Sequence, residues 1–151
     1  MQRTGKKGYY HTKSNILINN FHPSLKSPIT KSRTNSIING IMDGEKSHLS
    51  ALTINFTDNY LIRKINKKYL NHNYYTDIIT FPYNSSKDCI EGEIFISLDM
   101  VKENSKIYNT GYKNEFTRIL VHGCLHLTGY KDRTKKEQEL IRYKENCYMS
   151  N

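Results

Sequence analysis

Apolar residues alternate with polar ones over residues 50–56, where Leu52, Ile54 and Phe56 fall on one side, and this period of two predicts a strand. Asn15-Ile16-Leu17-Ile18-Asn19-Asn20 reads as an earlier short strand. Between them Pro28 is placed to start a helix that runs through Ile37, Ile38, Ile41 and Met42 and stops near Gly44. Asp58 is placed to cap a second helix, in which Leu61, Ile62 and Ile65 recur at helical spacing. Ile78–Phe81 and Glu93–Ser97, rich in β-branched and aromatic residues, predict two more strands with a loop, Pro82–Ile90, between them. Helices are expected at about 99–108, 114–128 and 134–148, the last opened by the capping box Thr134 with Glu137. The order βαβαββααα implies an α+β fold, a four-stranded sheet packed with helices. No internal repeat or second domain is visible. Residues 1–13 lack periodicity and are read as a basic, flexible N-terminal arm, with 14–151 as a single domain.

Charge adds a partner class. The chain carries +9 overall, but seven Lys/Arg precede the first acid, Asp43, and the remainder is only +2. Such a cationic stretch suits a polyanion, because Lys and Arg bind phosphates by releasing counterions. No apolar run approaches membrane-spanning length, and the N-terminus lacks the apolar core of a signal peptide. Cys89, Cys124 and Cys147 are odd in number and without paired spacing, which suits free thiols in the cytoplasm.

The chemistry concentrates in His122-Gly-Cys-Leu-His126-Leu-Thr-Gly129-Tyr-Lys-Asp132. Histidines at i and i+4 share one helix face and can reach one ion. Gly129 can take the left-handed turn that ends the helix and returns the chain, which brings Asp132 back as a third ligand. Three protein ligands with an open fourth position is the catalytic zinc arrangement, so one Zn2+ per chain is expected at His122, His126 and Asp132. This helix would be central and mostly buried, as Ile119-Leu120-Val121 and Leu125 require. Cys124, two residues after His122, points elsewhere and is read as packing. A His-Glu-x-x-His protease keeps a glutamate after its first histidine; here that position is Gly123, which argues against a peptidase. Asp77 and Glu93 remain as candidate bases. Tyr74 and Tyr75, in a loop that could form the facing wall of a cleft, are candidates to stack on unpaired bases. Lys113, Arg118, Lys131 and Arg133 flank the metal motif and are candidates to hold phosphates.

The segment His122-Gly-Cys-Leu-His126-Leu-Thr-Gly129-Tyr130 resembles the signature of the YbeY family of bacterial endoribonucleases, the rRNA maturation factors. Thr76-Asp77-Ile78-Ile79-Thr80-Phe81-Pro82 and Glu91-Gly92-Glu93-Ile94-Phe95-Ile96-Ser97 are similar to two further family segments, in the same order, and the three cover about residues 50–148. Most members carry a third histidine where this chain has Asp132, and an arginine associated with activity where Tyr69 is followed by Leu70. The resemblance implies a zinc-dependent, single-strand-specific endoribonuclease acting in 16S rRNA 3′-end maturation and ribosome quality control. It also implies as partners rRNA within the small ribosomal subunit and a ribosomal protein or assembly GTPase, with no membrane and no nucleotide cofactor. Two alternatives stay open on the residues: a ribosome-assembly or rRNA-binding factor with a mainly structural metal, and a zinc hydrolase of another substrate class.

Overall fold

The computed structural model describes residues 15–150; the arm expected at 1–13 lies outside them. Nine elements follow in order: β1 (Asn15–Asn20), α1 (Lys31–Gly44), β2 (Leu49–Thr57), α2 (Asn59–Leu70), β3 (Ile78–Ser86), β4 (Cys89–Ser97), α3 (Leu98–Ile107), α4 (Tyr112–Leu127) and α5 (Lys135–Met149). The four strands form one sheet in the order β1-β2-β4-β3. β1 runs parallel to β2 and β2 parallel to β4, while β3 and β4 are an antiparallel hairpin. This is the expected α+β architecture.

Two predicted boundaries are corrected. The first helix begins after Pro28, because Thr30 caps it, its hydroxyl accepting from the Arg33 N–H at 3.1 Å. The loop expected at Pro82–Ile90 is mostly strand, and the hairpin turns only at Lys87 and Asp88. Residues 82–86 are exposed and polar, so the apolar pattern that marks a strand is missing there. Pro82 is tolerated because β3 is an edge strand and the register shifts between Pro82 and Asn84, so no ladder donor is missed. The predicted capping box of α5 is present, with Thr134 and Glu137 satisfying each other's backbone N–H groups.

α4 is the hub. It packs on β3 and β4 and touches α1, α3 and α5, and Phe116, Leu120, Val121, Cys124, Leu125 and Leu127 along it are fully buried. The two sheet faces are told apart by alternation. Ile78 and Thr80 of β3 and Gly92 and Ile94 of β4 face α4, and a Cβ at Gly123 would lie 2.5 Å from Ile78 Cδ1 and 3.3 Å from Ile94 Cδ1. Close approach of helix to sheet therefore requires glycine between the two histidines. On the other face Phe81 meets Phe95 and the Tyr69 ring of α2 edge-on, with ring centres 5.9 and 5.8 Å apart. Among the described residues no helix is long and apolar enough to cross a membrane.

Candidate metal centre

The last two turns of α4 carry His122 and His126, and the way the helix ends brings the third group to them. The N–H of Gly129 bonds the carbonyl of His126 and the N–H of Tyr130 bonds that of Leu125, both at 3.1 Å. That pair of bonds is a Schellman cap, and its left-handed residue is Gly129 at φ +108°. The chain reverses there and returns Asp132 to the histidines. Nε2 of His122 and Nε2 of His126 are 3.0 Å apart, and Oδ2 of Asp132 lies 3.5 Å from the first and 3.3 Å from the second. Four ligands held about 2.1 Å from one ion at tetrahedral angles are about 3.4 Å from each other. The three separations fit that spacing.

Hydrogen bonding decides what these atoms offer. The Tyr130 carbonyl can only accept, so the proton of His126 sits on Nδ1, 2.9 Å away, and Nε2 is left as a lone pair. His122 likewise turns Nδ1 to the buried carboxylate of Glu145 on α5. Two imidazole lone pairs and a carboxylate oxygen thus point at one another with no donor between them. Such a set is repulsive alone and stable around a cation, and the outer partners that hold each ring are those expected of ligating histidines. Arg118 supports the arrangement from behind, ion-paired to Glu115 and 3.9 Å from Glu145. Its guanidinium is held further towards its charged form by the Glu115 hydrogen bond.

The cluster opens on a cleft of about 750 Å³. One wall holds His122, His126 and the 129–133 turn; the other holds Leu70, His72, Tyr74, Thr76 and Asp77. Asp77 is the expected base candidate that the fold does bring to the site. Burial pushes its carboxyl above its ordinary value, opposed in part by the Arg118 guanidinium, and Asn104 donates to its Oδ2 at 3.3 Å. Glu93 is not brought there. It pairs across the hairpin with Phe81, on the sheet face turned away from α4, and takes a hydrogen bond from Tyr83.

Of the expected RNA-contacting residues, Tyr74, Lys131 and Arg133 line the cleft. Tyr75 faces a neighbouring groove instead. Lys113 is exposed in the first turn of α4 and does not line the cleft. Arg118 is corrected from a phosphate-holding cation to a partner of two carboxylates, its charge already engaged. Cys124 is packing as expected, fully buried, with its thiol pushed up to about 12 by that burial. Sequence reasoning missed Glu145. Its one local signal is an acid four residues after Ile141, on the buried face of an otherwise amphipathic helix.

The family model for Endoribonuclease YbeY matches residues 19–151. The chain belongs to the YbeY family. Among its relatives, the Endoribonuclease YbeY of Cytophaga hutchinsonii is 48% identical over 109 residues, 70% of this chain and 76% of the relative. That of Chlorobium phaeobacteroides is 35% identical over 127 residues, 84% of this chain and 91% of the relative. The solution structure of TM1509 from Thermotoga maritima shares the fold, with a TM-score of 0.65 at 22% identity, covering 89% of this chain and 87% of the other. The position that holds a glutamate in His-Glu-x-x-His peptidases is here pressed against the sheet at Gly123, where a longer side chain has no path to the cleft.

Proposed function

We propose that this YbeY-family chain is a metal-dependent endoribonuclease that cuts single-stranded RNA, with zinc held by His122, His126 and Asp132. The observation that carries the reading is the meeting of three acceptor atoms, donorless among themselves, within 4.8 Å of one another at the mouth of a cleft. Family membership supports the substrate class, since the relatives are named endoribonucleases. A zinc ion bound there supplies Lewis acidity towards a phosphate oxygen and acidifies a water. The chain's own residues do the rest. Glu145 and the Tyr130 carbonyl keep both imidazoles in the ligating tautomer. Asp77, across the cleft, takes the proton from the attacking water, a task for which a raised carboxyl pKa is suited. Lys131 and Arg133 hold the phosphates on either side of the cut bond and supply positive charge in a cleft that carries Leu70 where most members have arginine. Tyr74, 55% exposed, offers a ring face to an unpaired base.

In the cell this activity acts in the cytoplasm on the 3′ end of 16S rRNA and in ribosome quality control, on the small subunit and with a ribosomal protein or assembly GTPase as partner. Elemental analysis joined to an RNA cleavage assay tests the reading. The parent is expected to hold one zinc per chain and to cut single-stranded RNA, while His122→Ala and Asp132→Ala lose both metal and cutting. Asp132→His is expected to keep the metal. Full cleavage by metal-free protein, or unchanged zinc content in His122→Ala, would overturn it.

A further inference from the structure

On the outer side of α2 lies a second groove, of about 310 Å³, lined by Tyr60, Arg63, Lys64, Lys67, Asn73 and Tyr75. Tyr60, Arg63, Lys64 and Lys67 are spaced i, i+3, i+4, i+7, so they form one stripe, opposite the buried Ile62 and Asn66. It is the solvent side of an amphipathic helix, and on it Tyr60 stands 74% exposed beside three cations. α2 contains no acid, and the neighbouring Asp58 spends its carboxylate on the helix cap. Among the described residues, none of these three cations is in an ion pair. Arg63 lies over the Tyr75 ring at 5.2 Å and donates to Asn73 Oδ1 at 3.0 Å, which fixes the loop to the helix before any ligand arrives. That loop joins the groove to the metal cleft. His72 and Tyr74 face the cleft while Asn73 and Tyr75, alternating with them, face the α2 groove.

We propose that the Tyr60–Arg63–Lys64–Lys67 stripe with Tyr75 is a docking strip for the same single-stranded RNA, holding the nucleotides that run out of the cleft past loop 71–75. This rests on the endoribonuclease reading of the cleft. Tyrosine faces beside unpaired cations are the pairing that stacks bases and neutralises phosphates without reading sequence. The stripe from Tyr60 to Lys67 is about 10 Å long, so it adds contacts for a long strand that a short one cannot reach.

The test uses full-length protein and a fluorescent single-stranded RNA of about 20 nucleotides, titrated by anisotropy in chelator so that nothing is cut. Lys64→Gln with Lys67→Gln removes two phosphate contacts and is expected to lower the salt slope by about 1.4, so between about 50 and about 200 mM salt the parent loses about seven-fold more affinity than the variant. Tyr60→Ala is expected to weaken binding about five-fold or more at fixed salt. All three residues are exposed, and unchanged thermal melts check that the variants are folded. With zinc added, kcat/KM on an RNA of about four nucleotides is expected to match the parent in both variants. Equal affinity and slope on the long RNA would overturn the strip, and so would an equal loss on the short one, which would mean a damaged cleft. A parent that binds RNA but never cuts it refutes the function proposed above, and the binding comparison still decides the strip.

Discussion

Glu145 is the residue on which the architecture of the metal centre can be tried hardest. Its carboxylate is buried, with 6% of the residue exposed, and it accepts the Nδ1 proton of His122 while standing 3.9 Å from Arg118. Glu145→Ala removes the acceptor that keeps His122 Nε2 free, so the ring is no longer held in its ligating tautomer. Loss of such an outer partner costs about 10- to 100-fold in metal affinity, or about 1.4–2.7 kcal/mol. Because zinc bound only to the folded state stabilises by mass action, that loss reappears as a smaller thermal shift on adding zinc. At about 2–4 °C per kcal/mol for a domain of this size, the shift shrinks by about 3–11 °C. The metal-free variant is also expected to melt earlier, by the equivalent of about 1–3 kcal/mol for an unsatisfied buried donor. Arg118 limits this second loss, since it keeps Glu115 as a partner. Glu145→Gln retains an acceptor without the charge and should fall at the mild end, near ten-fold. Competition against a chromophoric chelator measures the affinities and melting with and without zinc measures the rest. Glu145→Ala binding zinc within two-fold of the parent would refute the claim that His122 is held for ligation from α5.

Two further outcomes follow from partly buried carboxylates whose pKa values move in opposite directions. Burial raises the folded pKa of Asp77 above its unfolded value, so the charged form is disfavoured on folding; in metal-free protein Asp77→Asn is expected to be more stable than the parent at neutral pH, with the gain vanishing as pH falls below the carboxylate range, while RNA cleavage is lost. A parent and variant of equal stability across that range would remove the raised pKa as a feature of the site. Glu45 behaves oppositely: burial alone raises it, but hydrogen bonds from Tyr148 at 2.6 Å, Tyr130 at 2.8 Å and Lys144 at 3.2 Å outweigh that and leave the carboxyl lowered. Glu45→Gln should therefore cost up to about 1 kcal/mol in denaturant melts at neutral pH, the solvent around this half-open cluster screening the rest, a cost present above the unfolded pKa and lost as pH falls through the folded one; a cost unchanged at low pH would contradict the assignment.

What the chain's sequence determined was local. Helical spacing, the Asp58 and Thr134 caps and the i, i+4 histidines are set within a turn or two of chain, where side-chain direction follows directly from backbone geometry. Gly129 belongs with them, because only glycine readily takes φ +108° at the end of α4, and the reversal of the chain towards Asp132 follows from it. The YbeY signature is made of these same local requirements, which is why it could be read before the fold. Tertiary structure decided everything that depends on which sheet face or which distant helix a residue meets. Glu93 opens one predicted strand and Asp77 immediately precedes another, but strand pairing puts one behind the sheet and the other in the cleft. Glu145 lies 23 residues from His122, and only the packing of α5 on α4 joins them. Arg118 changed from a phosphate-holding cation to a half-buried partner of two carboxylates for the same reason, and β3 extended through Pro82 because its edge position, invisible in the residue pattern, leaves that residue no ladder bond to lose.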